Sequence, residues 1–409
     1  MECGGPPELV CAAAESMRIL HSLTYFLPHY SGMTVYADRL ARGLAARGHR
    51  VTVLTSRYHR SLPRFETRDG VQVRRVDVAL RVSKGVLMPS FPYWALRLAA
   101  SHDVIHVHLP SLEAAGLSIL GRFLGKAVVA TYQSDLVLPR SAVNWLAGRV
   151  STVANTVTVR AADVVTSMTR DFAEESTFLS RWLGKLAVVR PPIEVPRVPE
   201  ERVAEMRRLW GTGEPGDGGG PVLGMAARLA TEKGAEVLAR AMPEVLLRHP
   251  RARVLYVGEH ENVFGEEAYA RGLAPILSGL GHHWKFLGVL SPEDMAAFFR
   301  ICDLTVLPSL NSTESFGMVQ VESMVCGTPV VASDLPGVRF AVGDTGMGLT
   351  VPPGDAGALA RGILTVLERP QDFLGDPAAV AARYSPSRTA EQFEDLYRAL
   401  LSGRRRRPT

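Results

Sequence analysis

The chain predicts an α/β protein of two domains, each built on a parallel sheet, with a ligand held between them. Three observations carry this. Short apolar runs alternate with helical patterns along nearly all of its 409 residues. That length favours two cores over one. A proline-rich block, Arg190 to Pro199, splits the alternation into halves of similar size. Proline sets extended backbone there and bars regular helix.

The first half opens with an apolar strand, Arg18 to Leu23. A loop from Tyr25 to Met33 follows and contains Pro28 and Gly32. Thr34 suits the cap of a helix that turns Val35, Leu40 and Leu44 inward and stops at Gly48. Val51 to Leu54 is the next strand, so the unit is βαβ and its strands are parallel. The loop has one glycine where a dinucleotide fingerprint needs three, which argues against a nicotinamide enzyme. Val104 to His108, Val128 to Thr131, Val164 to Thr166 and Ala187 to Val189 read as buried strands. Ser111 to Leu124 and Asn144 to Arg160 read as helices between them.

After a glycine-bearing loop, Gly211 to Gly220, the alternation resumes. Strands are predicted at Val222 to Met225, Arg253 to Val257, Trp284 to Leu287 and Leu304 to Leu307. Helices are predicted at Glu232 to Leu247, Glu266 to Leu280 and Pro292 to Ile301. The stretch Leu307 to Val331 reads as strand, loop, helix, strand, its helix running from near Ser315 to Cys326. Gly327 suits the left-handed residue past a helix end, and Pro329 blocks continuation. Asp355 caps a helix to Leu367, and Phe393, Leu396, Tyr397, Leu400 and Leu401 form one apolar helical face near the end. The expected divisions are a flexible extension (1–16), a first domain (17–195), a second domain (196–383), a final helix packing back on the first (384–402) and a basic tail (403–409).

Composition narrows the class. An apolar fraction of 46% against 21% charged residues fits a globular protein with substantial cores. No apolar run has membrane-spanning length, and Met1 to Ser16 lacks the features of a secretory signal. Cys3, Cys11, Cys302 and Cys326 lack metal-ligand spacing, which suits a reducing, cytoplasmic setting. Arg404 to Arg407 is either a solvated tail or an attraction to an anionic surface. No nucleic-acid-reading motif is present.

The chemistry concentrates at two places. Glu314 and Glu322 lie eight residues apart and flank Ser315-Phe316-Gly317-Met318-Val319. Free N–H groups at the helix start suit an anion such as phosphate, with Gly317 admitting close backbone approach. The plain alternative is one capping and one solvated acid. Arg228 and Lys233 follow the first strand of the second half and suit a diphosphate, Arg as a fork and Lys as a point charge. Their plain alternative is solvated surface charge.

Together these elements resemble the family 4 glycosyltransferases, from Met17 to Leu401. Arg228, Lys233 and Gly234 match an Arg-x4-Lys-Gly element, and Glu314 to Glu322 matches Glu-x7-Glu. The Asp103 to His108 strand, Gly48-His49-Arg50-Val51 and Leu349 to Asp355 also fit in order. The resemblance implies the GT-B fold: two Rossmann-like domains facing each other across a cleft, the final helix crossing back to the first. The first domain would bind the acceptor and the second the nucleotide sugar. The implied reaction is a retaining, hexosyltransferase-like transfer from a nucleotide-diphosphate sugar to a lipid, glycan or small-molecule acceptor.

By the same resemblance, Arg228 and Lys233 neutralise the leaving diphosphate, Glu314 holds the sugar, and Glu322 takes the ribose hydroxyls without help from the first domain. The Phe316 to Val319 backbone would contact sugar and phosphate, and Gly32 would let the first-domain loop approach. No Asp-x-Asp motif is present, so neither a metal nor a cofactor beyond the donor is expected.

Three departures stand out. Met33 replaces a second glycine, and Phe340 stands where relatives often carry an acid. Gln133 replaces a histidine that lies near the reacting sugar. Glutamine cannot take a proton at neutral pH, so its role is positional or passes to Asp135 or His108. His106 and His108 have a plain alternative as polar strand-end residues. The segment Arg57 to Leu98 mixes arginines with Val86, Met88, Phe91, Tyr93 and Trp94. It suits either an anionic membrane at the inner face, where a lipid acceptor would lie, or an ordinary hairpin and helix. A nucleotide-sugar epimerase and a non-catalytic nucleotide-sugar-binding subunit are the other classes considered.

Overall fold

The computed structural model describes residues 16–82, 85–137, 142–213, 219–261, 263 and 265–405. Most of the expected extension, Cys3, Cys11, Lys84 and the end of the arginine run lie outside them. The strands before the connector are β1 (Arg18–Ser22), β2 (Arg50–Arg57), β3 (Phe65–Arg68), β4 (Val71–Asp77), β5 (Leu80–Val82), β6 (Gly85–Leu87), β7 (Val104–Leu109), β8 (Ala127–Tyr132), β9 (Val164–Ser167) and β10 (Leu186–Val188). Those after it are β11 (Val222–Ala226), β12 (Arg253–Val257), β13 (Trp284–Gly288), β14 (Leu304–Leu307), β15 (Val330–Ser333) and β16 (Gly348–Val351).

The first sheet has the order β10-β9-β8-β7-β1-β2-β4-β3, and the second β13-β12-β11-β14-β15-β16; β5 and β6 form a separate ribbon. Pairing within both sheets is parallel except between β3 and β4. Helices cover both faces of such a sheet, which is why β7 and β8 are buried along their whole length. Strand order reverses between β1 and β7 and between β11 and β14. Loops leaving a reversal diverge to opposite faces and open a crevice at the carboxyl edge.

Several helix starts differ from expectation: the helix expected from Glu232 begins at Ala235, after a short turn at Thr231–Lys233, and those expected from Ser111 and Asn144 begin at Glu113 and Ala142. Two more shape that edge. The helix Gly32–Ala46 is capped by Ser31, not Thr34. Ser31 Oγ accepts from the Thr34 amide at 3.3 Å, and Thr34 Oγ1 accepts from the Ser31 amide at 2.8 Å. This reciprocal box moves the start back and makes Gly32 the first helical residue. The helix Met318–Val325 starts three residues later than the expected Ser315. Gly317 takes a left-handed φ of 74°, which a right-handed helix cannot include, and a Cβ there would collide with the Leu307 side chain.

The last helix, Pro386–Arg405, returns to the first domain and lies along Gly32–Ala46. Gly43 allows the approach, since a Cβ there would sit 2.9 Å from the Pro386 carbonyl oxygen. Phe393 and Tyr397 are fully buried. Glu394, only 3% exposed, collects Arg47 and Arg398 and lies 3.5 Å from His49. The helix runs past residue 402, because Arg404 grips both Asp163 oxygens at 2.6–2.7 Å. The connector is tied down beside it by Ile193 N to the Tyr384 carbonyl at 2.7 Å.

The Arg57 to Leu98 segment folds as β3–β6 and the helix Phe91–Ser101. Four of its cations turn to partners within the domain. Arg57 and Arg64 share Asp77 at 2.9–3.0 Å, buried Arg75 holds Glu66 at 2.6 Å, and Arg74 lies 3.5 Å over the Trp94 ring. Among the described residues no helix is long and apolar enough to cross a membrane.

Two substitutions test what fastens the final helix. Phe393→Ala is expected to cost about 3–5 kcal/mol, the usual range for emptying a buried aromatic site. Arg404→Ala, at a partly exposed ion pair, is expected to cost about 1 kcal/mol or less. Denaturant unfolding measures both, and equal losses would show that the apolar face is not the anchor.

Candidate active site

Two loops leave the second sheet on either side of its reversal. One follows β11 through Arg228 to a short turn, Thr231–Lys233; the other follows β14 through Pro308 to Glu314. They are pressed together. The Leu310 amide donates to the Glu232 carbonyl at 2.9 Å. Gly234 has φ 71° and lies so close that a Cβ would strike the Pro308 carbonyl oxygen. Lys233 Nζ therefore reaches Glu314 Oε2 at 2.6 Å. Arg228 Nη2 lies 2.6 Å from Glu232 Oε1 within its own loop. Both cations are held by carboxylates and remain partly exposed.

The segment after Glu314 forms the floor of the site. Phe316 is 1% exposed and packs on Phe340 and Tyr384, so its side chain anchors while its backbone shapes the helix entrance. Phe340, where an acid was expected by resemblance, is thus part of that packing, with the Arg190 guanidinium 5.8 Å over its ring. Buried Gln320 donates to the Phe316 carbonyl and to the Val338 carbonyl at 3.0 Å, fixing the turn. Met318 and Val319 follow on the first turn, partly buried. The Gln320 amide donates to the Gly317 carbonyl at 3.0 Å, and the Met318 and Val319 amides before it precede the intrahelical ladder.

The first domain meets this floor directly. A Cβ on Gly32 would lie 3.8 Å from Met318 Cε. Ser315 Oγ donates to the Gln133 carbonyl, and the Asp135 amide donates to the Ser312 carbonyl at 3.3 Å. Asp171 Oδ2 accepts from the Gly337 amide at 2.9 Å and from Arg339 at 3.2 Å. The carboxyl edges of the two sheets thus face each other.

Glu322 is the first correction. It does not stand alone in the second domain, because Arg39 from the first-domain helix pairs with it at 2.8 Å. Arg39 also donates to the carbonyls of Pro192, at 3.3 Å, and Glu194, at 2.9 Å, on the connector. One side chain joins both domains and their link.

Asp135 and His108 are the second. The Asp135 carboxylate is 5% exposed and accepts from Tyr132 at 3.0 Å and Ser176 at 2.6 Å, so it braces the loop. His108 is fully buried behind that loop, in a stack with His21 and His106. His21 Nδ1 lies 3.0 Å from His108 Nε2, and His106 bonds Tyr397 and Thr131 at 2.6 Å each. Gln133 Nε2 approaches His108 Nδ1 at 3.4 Å, which ties the loop to the stack. The three rings come within 4.8 Å through their nitrogens, close enough for an ion. They stack rather than converge, and every ring nitrogen except His21 Nε2 has a hydrogen-bond partner. That arrangement is a polar core.

Arg39, Gln320 and His21 were not found from sequence. Gln320 had a signal, a lone amide among Met318, Val321 and Met324. His21 sits beside His106 in the β1–β7 register, visible once those strands are paired. Arg39 is one of two arginines on its helix and had none.

The stack predicts a pH dependence. Burial pushes His21 down to about 3 and holds His106 and His108 well below the ordinary imidazole value, with the neighbouring rings adding to the effect at both. An unfolded imidazole titrates near 6.5. The neutral stack therefore contributes fully above that pH and loses its contribution as pH falls toward the folded values. Over that window it steepens stability by up to about 4 kcal/mol per pH unit. Unfolding measured at about pH 7 and about pH 5.5 should show a smaller difference in His21→Gln than in the parent; an equal difference would refute the assignment.

Residues 213–381 match the family Glycosyl transferases group 1, and residues 31–192 match the Glycosyl transferase 4-like domain. The D-inositol 3-phosphate glycosyltransferase of Streptosporangium roseum is 30% identical over 397 residues, covering 91% of this chain and 89% of the relative. The phosphatidyl-myo-inositol mannosyltransferase of Mycobacterium tuberculosis is 30% identical over 395 residues, covering 93% and 96%. Among solved structures, sucrose-phosphate synthase of Thermosynechococcus elongatus superposes with a TM-score of 0.74 at 23% identity, over 95% of this chain and 100% of that one. Anabaena HepE in complex with UDP and glucose gives 0.72 at 22%, over 94% and 100%. With its two reversed sheets meeting edge to edge, the chain belongs to the family 4 glycosyltransferases and has their GT-B fold.

Proposed function

We propose that the enzyme moves a sugar from a nucleotide-diphosphate sugar to an acceptor hydroxyl, with retention of configuration and without a metal ion. The observation that carries this is the Lys233–Glu314 pair, set beside Arg228 at the reversal of the second sheet and before the start of the helix Met318–Val325. A leaving diphosphate gathers charge as the glycosidic bond breaks. Arg228, Lys233 and the helix amides stabilise that charge where it develops. Lys233 turns from Glu314 to phosphate, which frees the Glu314 carboxylate to accept from a sugar hydroxyl. Glu322 keeps one oxygen on Arg39 and offers the other to the ribose. Gly32, against Met318, lets the first-domain backbone close over the donor, and closure limits hydrolysis.

The relatives named above point to an inositol-bearing acceptor, free or lipid-linked, and HepE to a uridine donor. Gln133 favours one second reading, a subunit that binds nucleotide sugars without turnover. An epimerase has less support, because the Asp135 carboxylate is committed to Tyr132 and Ser176.

Thermal-shift titration with UDP-, GDP- and ADP-sugars tests the site. One donor class is expected to raise the midpoint, and Arg228→Ala and Glu322→Ala are each expected to weaken it about tenfold, the loss of one charged contact. Equal shifts in all three proteins would refute the assignment. Gln133→His is expected to raise transfer to an inositol phosphate; unchanged turnover would show that the position is not catalytic. Binding with no transfer in either form would favour the subunit reading.

A further inference from the structure

The helix Ala142–Ala161 leaves its large apolar residues uncovered. Its buried face mixes Ser151, Asn155 and Thr158 with Val159 and Ala161. Its exposed face carries Trp145, Leu146, Val150 and Val153, each between 48% and 65% exposed. That spacing makes a single stripe along the helix, and a helix bathed only by water places these residue types the other way round. An uncovered stripe of this kind marks a contact surface.

Its position and charge select the occupant. Leu136 and Val137, 42% and 50% exposed, follow Gln133–Asp135 at the cleft and come a few residues before the helix in the sequence. No Asp or Glu occurs from Leu136 to Ala162, whereas Arg140, Arg149 and Arg160 do. Arg149 lies 5.4 Å over the Trp145 ring, so cation and aromatic share one spot. Lys185 Nζ caps the far end, donating to the carbonyls of Val159, Arg160 and Ala162 at 2.8–3.2 Å. A second copy docked here through a twofold axis would set cationic stripe against cationic stripe. An anionic bilayer offers what the stripe lacks: apolar depth for Trp145 and Leu146, with phosphates for the arginines.

We propose that this face seats the enzyme on an anionic lipid bilayer. In the Arg57 to Leu98 segment, the earlier candidate, Arg57, Arg64, Arg74 and Arg75 are engaged within the domain. Seating through the stripe sets the cleft beside the lipid surface, so a lipid-borne acceptor enters from the same side as Gln133. That consequence rests on the proposed transfer reaction; the seating itself does not.

Sedimentation of the full chain with phosphatidylcholine vesicles, with and without phosphatidylglycerol, tests the proposal. The parent should pellet only with the anionic vesicles and be released by salt. The triple variant W145S/L146S/V153S should bind about tenfold or more weakly at an unchanged thermal midpoint, and the control L87S/Y93S should bind as the parent does. If the triple variant unfolds, R149E supplies the same reading through charge alone. A parent that stays in solution, or a stripe variant that pellets like it, would overturn the proposal. So would light scattering that shows a dimer broken by R149E. None of these readouts requires sugar transfer, so a failed transfer assay leaves the seating standing and a failed sedimentation leaves the reaction standing.

Discussion

Gly234 rests on the Pro308 carbonyl with no room for a side chain between them, and the geometry of the cleft floor follows from that contact. It locks the loop after β11 onto the loop after β14. These loops flank the reversal of strand order, where a parallel sheet opens a crevice. Locked together, they bring a lysine and a glutamate from positions 81 residues apart to 2.6 Å. Gly317 then delays the next helix until Met318, so its entrance lies beside the pair and not over it. The charges are placed by backbone packing, which is stiff, and not by long side chains finding one another in water.

The first domain is held to this floor in layers. Backbone and hydroxyl contacts from Gln133 and Asp135 meet the Ser312–Ser315 loop. Behind them, Gln133 touches a neutral histidine stack, and the stack touches Tyr397 of the returning helix. Arg39 adds a separate tie through Glu322 and the connector. The returning helix therefore does more than cover an apolar face. Through Tyr397, His106, His108 and Gln133 it is in contact, link by link, with the loop that faces the donor site. Protonation of any ring in that chain would cost both packing and hydrogen bonds, which keeps the stack neutral at ordinary pH.

How much of this could be read from the sequence depends on the range of the interaction. Strands such as Arg253–Val257 and Leu304–Leu307 appeared at their observed bounds, because an apolar run between turn residues is a local signal. The cap at Asp355 was equally local. The start of Met318–Val325 was not, since Gly317 is left-handed and packs too closely on Leu307, a residue of the preceding strand, to carry a side chain. Arg39 and Glu322 are nearly three hundred residues apart, and no pattern along the chain links them. Position alone marked Arg228, Lys233 and Glu314, whereas their carboxylate and ammonium partners came only with the packed loops. The helix Ala142–Ala161 shows a further limit. Its sequence has two faces, one of large apolar residues and one that mixes small polar residues with Val159 and Ala161, and periodicity does not say which turns inward.

On the proposed reaction, the first domain supplies few groups able to exchange a proton near the acceptor. Gln133 has no titrating group, Asp135 is committed to Tyr132 and Ser176, and His108 is buried and neutral. The acceptor proton then has to leave with the diphosphate, which is itself a base once the glycosidic bond breaks. Such a site depends on the charge of Arg228 and Lys233 more heavily than one with an imidazole in the loop. It also depends on a dry cleft, because water competes with the acceptor for the same electrophilic carbon. The contacts that close the cleft, Ser315 on Gln133, Asp135 on Ser312 and Arg39 on Glu322, are therefore as much a part of the chemistry as the cations.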